Sequence, residues 1–221
     1  MENFTFEEQK NTSLRHKITD DIRKAIFSGH LLPGTRLREV EMSKQMGVSR
    51  GPIREAMRML EQEGLLISQP YKETMVSDIS REEVIHVLIP IRLTLEQFAF
   101  KKALALLDDS HYAKLHNIID KMKEAANRQD IAQIADYDLQ FHAYLVELSG
   151  MSNIISIWNS IYNRIRLHFI TQARTYDDLI KLCQEHETLL ETIKLGNEND
   201  ICAAVAEHIQ IVNWDFLDKQ G

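Results

Sequence analysis

Cysteine, proline and glycine are scarce in this sequence of 221 residues, and long apolar runs are missing altogether. Two cysteines, Cys183 and Cys202, are too few for the disulfide framework that stabilises many small secreted proteins. No run of about 18 apolar residues occurs, so the sequence predicts no membrane-spanning helix. The N-terminal stretch MENFTFEEQK lacks the basic flank and apolar core of a signal peptide. We therefore expect a cytoplasmic protein.

Helix-breaking residues are concentrated in the first third of the chain. Only 8 glycines and 4 prolines occur, and three of the prolines precede residue 71. The region after about residue 80 is almost free of breakers and rich in helix formers, which predicts a helical bundle.

The net charge is −7, but basic and acidic residues are unevenly distributed along the chain. Residues 10–60 contain 11 lysines and arginines against 5 acidic residues, whereas residues 81–221 contain 14 against 21. A basic segment joined to an acidic remainder predicts two domains with different partners.

The basic segment has the pattern of a helix-turn-helix. Apolar residues four apart predict a helix from Leu14 to Ser28, and a second, compact helix is predicted over Glu39–Met46. Gly47 ends this helix, and another begins at Ser49 and runs to about residue 63. Two helices joined by a glycine-containing turn of three or four residues are typical of this DNA-binding motif.

The last of these helices carries a row of arginines. Ser49 suits the N-cap position, and Pro52 fits the first turn. Arg50, Arg54 and Arg58 recur every four residues and therefore share one face. Because recognition helices present their N-terminal residues to base edges, Arg50 and Arg54 are candidates for guanine contacts and Arg58 for a phosphate contact. The alternative is a solvated basic face, but the adjoining turn and helix favour DNA.

The segment LLISQPYKETMVSDI predicts two short strands joined by a turn, the wing of a winged helix. At this point residues 14–78 resemble the DNA-binding domain of GntR-family bacterial transcription regulators. The motifs PG-x-x-L, GVSR-x-P-x-REA and LEQEGLL occur in the family's order and spacing. The resemblance implies operator contact by Ser49, Arg50, Pro52 and Arg54, with the wing tip reaching the minor groove.

The wing tip departs from the family pattern. Family members often carry a glycine there, whereas this sequence has Pro70, Tyr71 and Lys72. Lys72 can still neutralise a phosphate. The DNA-contacting candidates are therefore Arg36, Ser49, Arg50, Pro52, Arg54, Arg58 and Lys72.

Capping residues and apolar periodicity predict six antiparallel helices after the wing. Ser80, with Glu83 at the capping-box position, begins the first helix, which runs to about Leu107 and is kinked or divided at Pro90. The others are predicted at 109–128, 130–149, 153–172, 176–195 and 198–217. The predicted fold class is mainly α: an N-terminal tail over residues 1–13, a winged helix-turn-helix over 14–78, and a six-helix bundle over 80–217.

Four ionisable residues interrupt the apolar stripes of three of these helices. Asp138 and His142 lie four residues apart on one helix, and His186 and His208 lie on two others. Each can be a hydrogen-bonded core residue, but a buried aspartate needs a compensating charge. A divalent cation would explain all four together, and the ligand set suits Zn, Ni, Mn or Fe.

Residues 80–217 resemble the FCD ligand-binding domain found in the FadR branch of the GntR family. The matching motifs are D-x-x-x-H in DLQFH and the EH pairs of QEHETLLETI and AVAEHI. The six helices predicted for this domain, rather than seven, resemble the VanR-type arrangement. The resemblance implies that Asp138, His142, His186 and His208 hold a metal, zinc foremost, beside an open position for a carboxylate-bearing effector.

Two further residues are candidates for binding this effector. Arg92 matches the R-x-x-x-E of the FCD domain, with Glu96 one turn on, and it either meets the acid or forms a structural pair with Glu96. His168 either lines the same pocket or packs as a core residue.

These patterns predict a homodimeric, cytoplasmic transcription regulator, in the first instance a repressor, that binds a palindromic operator and senses a small organic acid. The hinge between its domains is expected near Ser77–Ser80. One alternative is a sensor in which the metal itself is the signal. A second is a metal-dependent enzyme attached to a DNA-binding domain. No motif supplies a separate general base, so we expect no enzymatic activity.

Overall fold

The structure, a computed structural model, describes residues 14–68, 73–173 and 178–218, and side chains for all of these except 172–173 and 211–218. The chain forms two compact units that divide between Ser77 and Asp78. Within the described ranges, no helix is both long and apolar enough to cross a membrane. The predicted tail, residues 1–13, and Lys72 at the wing tip lie outside the described residues.

The first unit is a helix-turn-helix followed by a small sheet. Its elements are α1 (Leu14–Phe27), β1 (Arg36–Leu37), α2 (Glu39–Met46), α3 (Arg50–Gln62), β2 (Leu66–Ile67) and β3 (Thr74–Val76). Both α1 and α2 pack against α3. The sheet is antiparallel in the order β1-β3-β2, with Leu37 opposite Thr74 and Ile67 opposite Met75. The two predicted wing strands are therefore β2 and β3, and the extended segment before α2 supplies a third strand.

The turn between α2 and α3 depends on Gly47. Its backbone is left-handed, with φ of 65°, and its N–H bonds to the carbonyl of Ser43 at the end of α2. Glycine adopts this conformation without a Cβ penalty. The Ser43 hydroxyl donates to the carbonyl of Val48 at 2.6 Å, which holds the rest of the turn. These contacts set the start of α3 at Arg50.

The second unit is helical throughout its described length. Its elements are α4 (Arg81–Glu83), a π-helical segment (Val84–Leu88), α5 (Ile89–Leu104), α6 (Asp109–Asn127), α7 (Ile131–Leu148), α8 (Ser152–Ala173), α9 (Leu179–Leu195) and α10 (Glu198–Asp218). The first three run on without a break and make one long helix. Counted in this way, the described part of the second unit has the six helices expected, and the predicted fold class is confirmed.

The long first helix changes its winding just before Pro90. The N–H of Ile89 bonds to the carbonyl of Val84, five residues back, and Pro90 then occupies the first turn of α5. Because the helix continues through Pro90, the proline removes one intrahelical hydrogen bond and its ring needs room in the preceding turn, which the wider π-helical winding supplies. The predicted interruption at Pro90 thus takes the form of a π-helical turn.

Two predicted helix ends in the second unit lie three residues from those of the structure. The first helix ends at Leu104 rather than Leu107, and α9 begins at Leu179 rather than residue 176. In both places an aspartate caps the next helix: Asp108 accepts from the N–H groups that open α6, and Asp178 does so for α9. An N-cap fixes the first residue of a helix more sharply than apolar periodicity does.

The helices of the second unit enclose a polar centre. Helix α7 packs against α5, α6 and α8, while α9 packs against α6 and α10, and α10 returns to α5. Five helices, α5, α7, α6, α9 and α10, therefore form a closed ring of neighbours. Ionisable residues from α5, α7, α9 and α10 are buried inside it.

Candidate metal centre and DNA-binding surface

Helix α3 separates an apolar face from a basic one. Its buried residues are Ile53, Ala56, Met57 and Leu60. Arg50, Arg54 and Arg58 are exposed on the other side, as their spacing predicts. Arg58 makes no ion pair with any residue that the structure describes, so its guanidinium is free to meet a phosphate.

Among the described residues, the other DNA-contacting candidates are exposed or lie at the start of α3. Ser49 occupies the N-cap position, but its side chain makes no capping hydrogen bond. Its hydroxyl is therefore not used to stabilise the helix, contrary to its predicted capping role. Pro52 lies in the first turn of α3, and Arg36 on β1 contacts Glu73 at 3.4 Å.

Glu39, the first residue of α2, bridges two of these arginines. Its Oε1 accepts from Nε of Arg54 at 2.8 Å, and its Oε2 accepts from Nη2 of Arg54 at 2.8 Å and Nη2 of Arg50 at 3.1 Å. The hydrogen bonds from Arg54 and, against some desolvation, from Arg50 lower the pKa of Glu39 to about 2. The carboxylate thus stays ionised at neutral pH.

The four predicted metal-ligating residues meet inside the helical unit. Asp138 and His142 come from α7, His186 from α9 and His208 from α10. One ligand atom from each lies within 4.8 Å of the others, and all four side chains are buried. Three imidazoles and one carboxylate form a donor set that suits Zn, Ni, Mn and Fe.

The hydrogen bond of His186 leaves its second ring nitrogen for the cluster. Its Nδ1 lies 2.9 Å from the carbonyl oxygen of Leu182, which can only accept, so Nδ1 carries the proton. Nε2 lies 3.0 Å from Asp138 Oδ1, but among the described residues neither atom has a hydrogen-bond partner, and both are buried. The second oxygen of Asp138 is buried without a partner in the same way. Buried polar atoms are normally hydrogen-bonded, and a bound cation would supply the missing partner.

A second carboxylate lies beside His142. Its Nδ1 lies 2.6 Å from Oε2 of Glu96, and both side chains are fully buried. The other ring nitrogen, Nε2, faces the cluster, where His208 Nε2 is 3.2 Å away. Carboxylates that hold metal-binding histidines in this way are a common feature of metal sites.

The electrostatics of the cluster favour an ionised Asp138 and a neutral His208. Burial alone raises the pKa of Asp138, but its interactions with His186, His142 and Arg92 outweigh it and hold the pKa below its ordinary value. Burial, together with the interactions with His186, His142 and Arg92, lowers the pKa of His208 well below the usual histidine range. An ionised carboxylate and a neutral imidazole are the forms that ligate a cation.

The two predicted effector-binding residues are buried beside this cluster. Arg92 and His168 line a cavity of about 10 Å³ together with residues of the π-helical segment and Ile165. Arg92 Nε donates to Oε1 of Glu96 at 2.8 Å, so the predicted Arg92–Glu96 pair is present. A cavity of this size holds about one water molecule. An organic acid would need these side chains to move apart.

A larger cleft opens on the other side of the cluster, between α9 and α10. It has a volume of about 280 Å³, and His208 forms part of its wall together with Lys181, Glu185 and Glu207. Sequence reasoning did not find this cleft, because the contact between α9 and α10 is tertiary. It gives His208 access to a space that can hold a small molecule, and its lining includes one lysine and two carboxylates.

Comparison with known proteins agrees with this geometry. Residues 14–76 match the family described as bacterial regulatory proteins of the gntR family, and residues 87–211 match the FCD domain. The FCD match alone spans more than half of the chain. The chain belongs to the GntR family.

The alignments with individual relatives cover most of the chain. The Nta operon transcriptional regulator of Aminobacter aminovorans is 31% identical, with 83% of this chain and 85% of the relative covered. The gluconate operon transcriptional repressor of Bacillus licheniformis is 26% identical, with 93% and 83% covered. The solved structure of E. coli McbR/YncC has the same fold, with a TM-score of 0.77, 23% identity, and 95% and 99% coverage.

These matches decide between the classes of function that the sequence left open. The families and the relatives are transcription regulators, so this GntR-family chain is a DNA-binding regulator and not an enzyme. The FCD match and the buried cluster agree with a domain that can hold a metal.

Two functional residues of this GntR-family chain escaped sequence reasoning. Glu96 was considered only as the partner of Arg92, and Glu39 was not considered at all. Both act across helices: Glu96 reaches from α5 to His142 on α7, and Glu39 reaches from α2 to α3. The R-x-x-x-E spacing showed that Arg92 and Glu96 share a face, but nothing local indicated that a histidine lies beside them.

Proposed function

We propose that this protein is a homodimeric, cytoplasmic transcription repressor that binds a palindromic operator through α3 and responds to a small carboxylate bound at a metal ion. A repressor relative, the gluconate operon regulator, supports the direction of regulation. Twofold pairing supplies the affinity and half-site spacing that a single winged helix lacks. The DNA-contacting set is Arg36, Ser49, Arg50, Pro52, Arg54, Arg58 and Lys72.

The metal proposal rests on one observation: among the described residues, both oxygens of Asp138 and Nε2 of His186 are buried without a hydrogen-bond partner, in a cluster whose four ligand atoms lie within 4.8 Å of one another. A divalent cation held by Asp138, His142, His186 and His208 would supply the missing partner. Zinc is the first candidate because it favours imidazole and carboxylate ligands, and nickel, manganese and iron are the alternatives. When bound, the metal would supply a positive charge that attracts the carboxylate of an acid.

The effector we propose is a small organic acid with one carboxylate at the metal. Arg92 and His168 lie beside the cluster and are the candidates for its other end. Lys181 in the α9–α10 cleft is a second candidate, because that cleft already has room for a ligand. A panel of mono-, di- and tricarboxylates, assayed by thermal shift and calorimetry, distinguishes the two: loss of binding in Lys181→Ala favours the cleft, and loss in Arg92→Lys favours the smaller cavity.

The signal to DNA would pass through the segment that follows the wing. Arg164 on α8 donates from Nε to Glu83 at 2.9 Å and from Nη2 to the carbonyl of Asp78 at 3.1 Å, which ties this segment to α8. His168 lies one turn further along α8 and lines the same small cavity as Arg92. An acid that displaces α8 would thereby shift Asp78, within the expected hinge at Ser77–Ser80. The effector must bind the two arrangements with different free energies, typically by ~1–3 kcal/mol.

Metal content is the first test. We expect elemental mass spectrometry of untagged protein, purified without chelator, to find about one equivalent of metal per chain, as four protein ligands imply. His186→Ala should abolish it. No metal after incubation with zinc, nickel and manganese would overturn the metal proposal and leave the DNA-binding assignment intact.

Operator recognition is tested separately. Arg50→Ala and Arg54→Ala should each abolish most of the preference for a duplex selected by the wild-type protein from a random library, with fold and dimer unchanged. Lys44→Ala, which removes an exposed charge from α2, is the matched control. Unchanged preference in both arginine variants would refute the base-reading assignment.

A metal sensor is the alternative regulator, in which the cation itself is the signal. It requires operator affinity to respond to chelator and metal with no organic acid present. Under the effector proposal, metal removal leaves operator affinity unchanged and abolishes only the response to the acid.

A further inference from the structure

Glu39 connects two arginines that we have proposed to read bases, and it has no role in that proposal. We infer that Glu39 is a positioning residue for sequence specificity: its carboxylate holds the guanidinium groups of Arg50 and Arg54 in the orientation that reaches base edges. The inference rests on the proposed function of the two arginines.

The contacts of Arg54 with Glu39 leave the far end of its guanidinium available to contact a base. Nε and Nη2 donate to the two oxygens of Glu39, both at 2.8 Å. A guanidinium has five N–H donors, so Nη1 and the second hydrogen of Nη2 remain free at the far end of the group. These two donors form the fork that recognises O6 and N7 of guanine.

Arg50 shares the same carboxylate from one turn earlier on α3. Its Nη2 and Nε lie 3.1 and 3.3 Å from Oε2 of Glu39. One anion therefore constrains two side chains that would otherwise sample many rotamers in solvent, since their side chains are 56% and 49% exposed. Arginines that are oriented before binding lose less conformational freedom when they meet a base.

The charge of Glu39 should also have a second effect on DNA binding, which can be measured separately. It is a negative charge on the surface that approaches DNA, and it repels phosphates whatever the base sequence. Removing the charge should raise affinity for non-specific DNA, while loosening the arginines should lower discrimination. A purely electrostatic residue would produce the first effect without the second.

The experiment compares Glu39→Gln with Glu41→Gln. The second variant removes the same charge from the same helix, at a residue whose ion pair within the described part of the chain is with Arg38. The probes are the duplex selected by wild-type protein from a random library and a scrambled duplex of equal composition. We expect Glu39→Gln to lower the ratio of the two affinities by about tenfold, the size of one lost bidentate base contact. Glu41→Gln should change the ratio by less than about twofold, because it alters only a general charge effect.

Base-by-base preference gives the decisive readout. Repeating the selection with Glu39→Gln should show loss of preference at the same operator positions that Arg50→Ala and Arg54→Ala affect. Glu39→Asp keeps the charge but shortens the side chain, so it should show an intermediate loss of preference. It also tests the positioning role if the neutral variant does not fold.

Each possible failure has its own signature. If Glu39→Gln raises affinity for both duplexes equally and leaves the base preferences intact, the positioning role is overturned. If the arginine variants themselves keep the operator preference, the base-reading assignment is wrong. If the arginine variants lose preference and both Glu39 variants keep it, only the inference about Glu39 fails.

Discussion

Glu96 and His142 form a buried contact of 2.6 Å between a carboxylate oxygen and Nδ1 of the imidazole. The other oxygen of Glu96 accepts from Arg92. Glu96 therefore stands between the proposed metal ligand and the proposed effector-binding arginine. Burial raises the pKa of Glu96, but the charges of Arg92 and His142 outweigh it, so the pKa is lower than usual and the carboxylate is ionised.

We predict that Glu96→Gln lowers metal affinity by roughly 10- to 100-fold, the effect usual for residues that orient metal ligands. A glutamine amide can donate to Nδ1 of His142, which would place the proton on Nε2 and remove the lone pair from the cluster. Competition with a chromogenic chelator measures the affinity, and circular dichroism checks the fold. Glu124→Gln, an exposed residue on α6, is the control. Wild-type affinity in Glu96→Gln would contradict the orienting role.

We predict that His208→Ala reduces metal occupancy and blunts the response to an acid effector, while DNA binding in the absence of effector is retained. His208 is neutral and buried, so its removal takes away a ligand without adding an unpaired charge. Elemental analysis and fluorescence anisotropy with the selected duplex measure the two effects. His116→Ala, an exposed histidine on α6, should match the wild type in both. Loss of folding in His208→Ala would instead mean that the metal is structural.

We predict that Arg58→Ala weakens binding to the selected and scrambled duplexes by the same factor. Arg58 lies two turns into α3 and is exposed, which suits a phosphate rather than a base. Each lost phosphate contact should reduce the slope of log affinity against log salt by about 0.9. Lys101→Ala on α5 should leave the slope unchanged. A selective loss on the selected duplex would show that Arg58 reads a base.

We predict that Gly47→Ala lowers the free energy of unfolding by about 1–2 kcal/mol, the cost of a left-handed backbone for an ordinary residue. No atom lies within 4 Å of the position of the new Cβ, so the cost is conformational and not steric. Gly47→Asn should lose less, because asparagine tolerates this conformation. Chemical denaturation followed by circular dichroism measures both variants. Equal stability of wild type and Gly47→Ala would show that the turn rearranges at no cost.

Much of the helical architecture was predictable, because it depends on residues close together in the chain. Apolar spacing indicated the helices, and Pro90 indicated the place where the first helix of the bundle changes its winding. The errors fell at helix ends, where Asp108 and Asp178 cap the next helix and set a boundary that periodicity does not show. The Arg92–Glu96 pair was also predictable, since four-residue spacing places both on one face.

The sequence by itself determined the family motifs, the two segments of opposite charge, the basic face of α3 and the pairing of Asp138 with His142 on one helix face. Only the tertiary structure decided that His208, 66 residues after His142, brings its Nε2 to 3.2 Å from the Nε2 of that residue. The same holds for the contacts of Glu96 with His142 and of Glu39 with Arg54. The reason is physical. Helical periodicity and capping act over about four residues, whereas the convergence of separate helices depends on how their apolar faces pack.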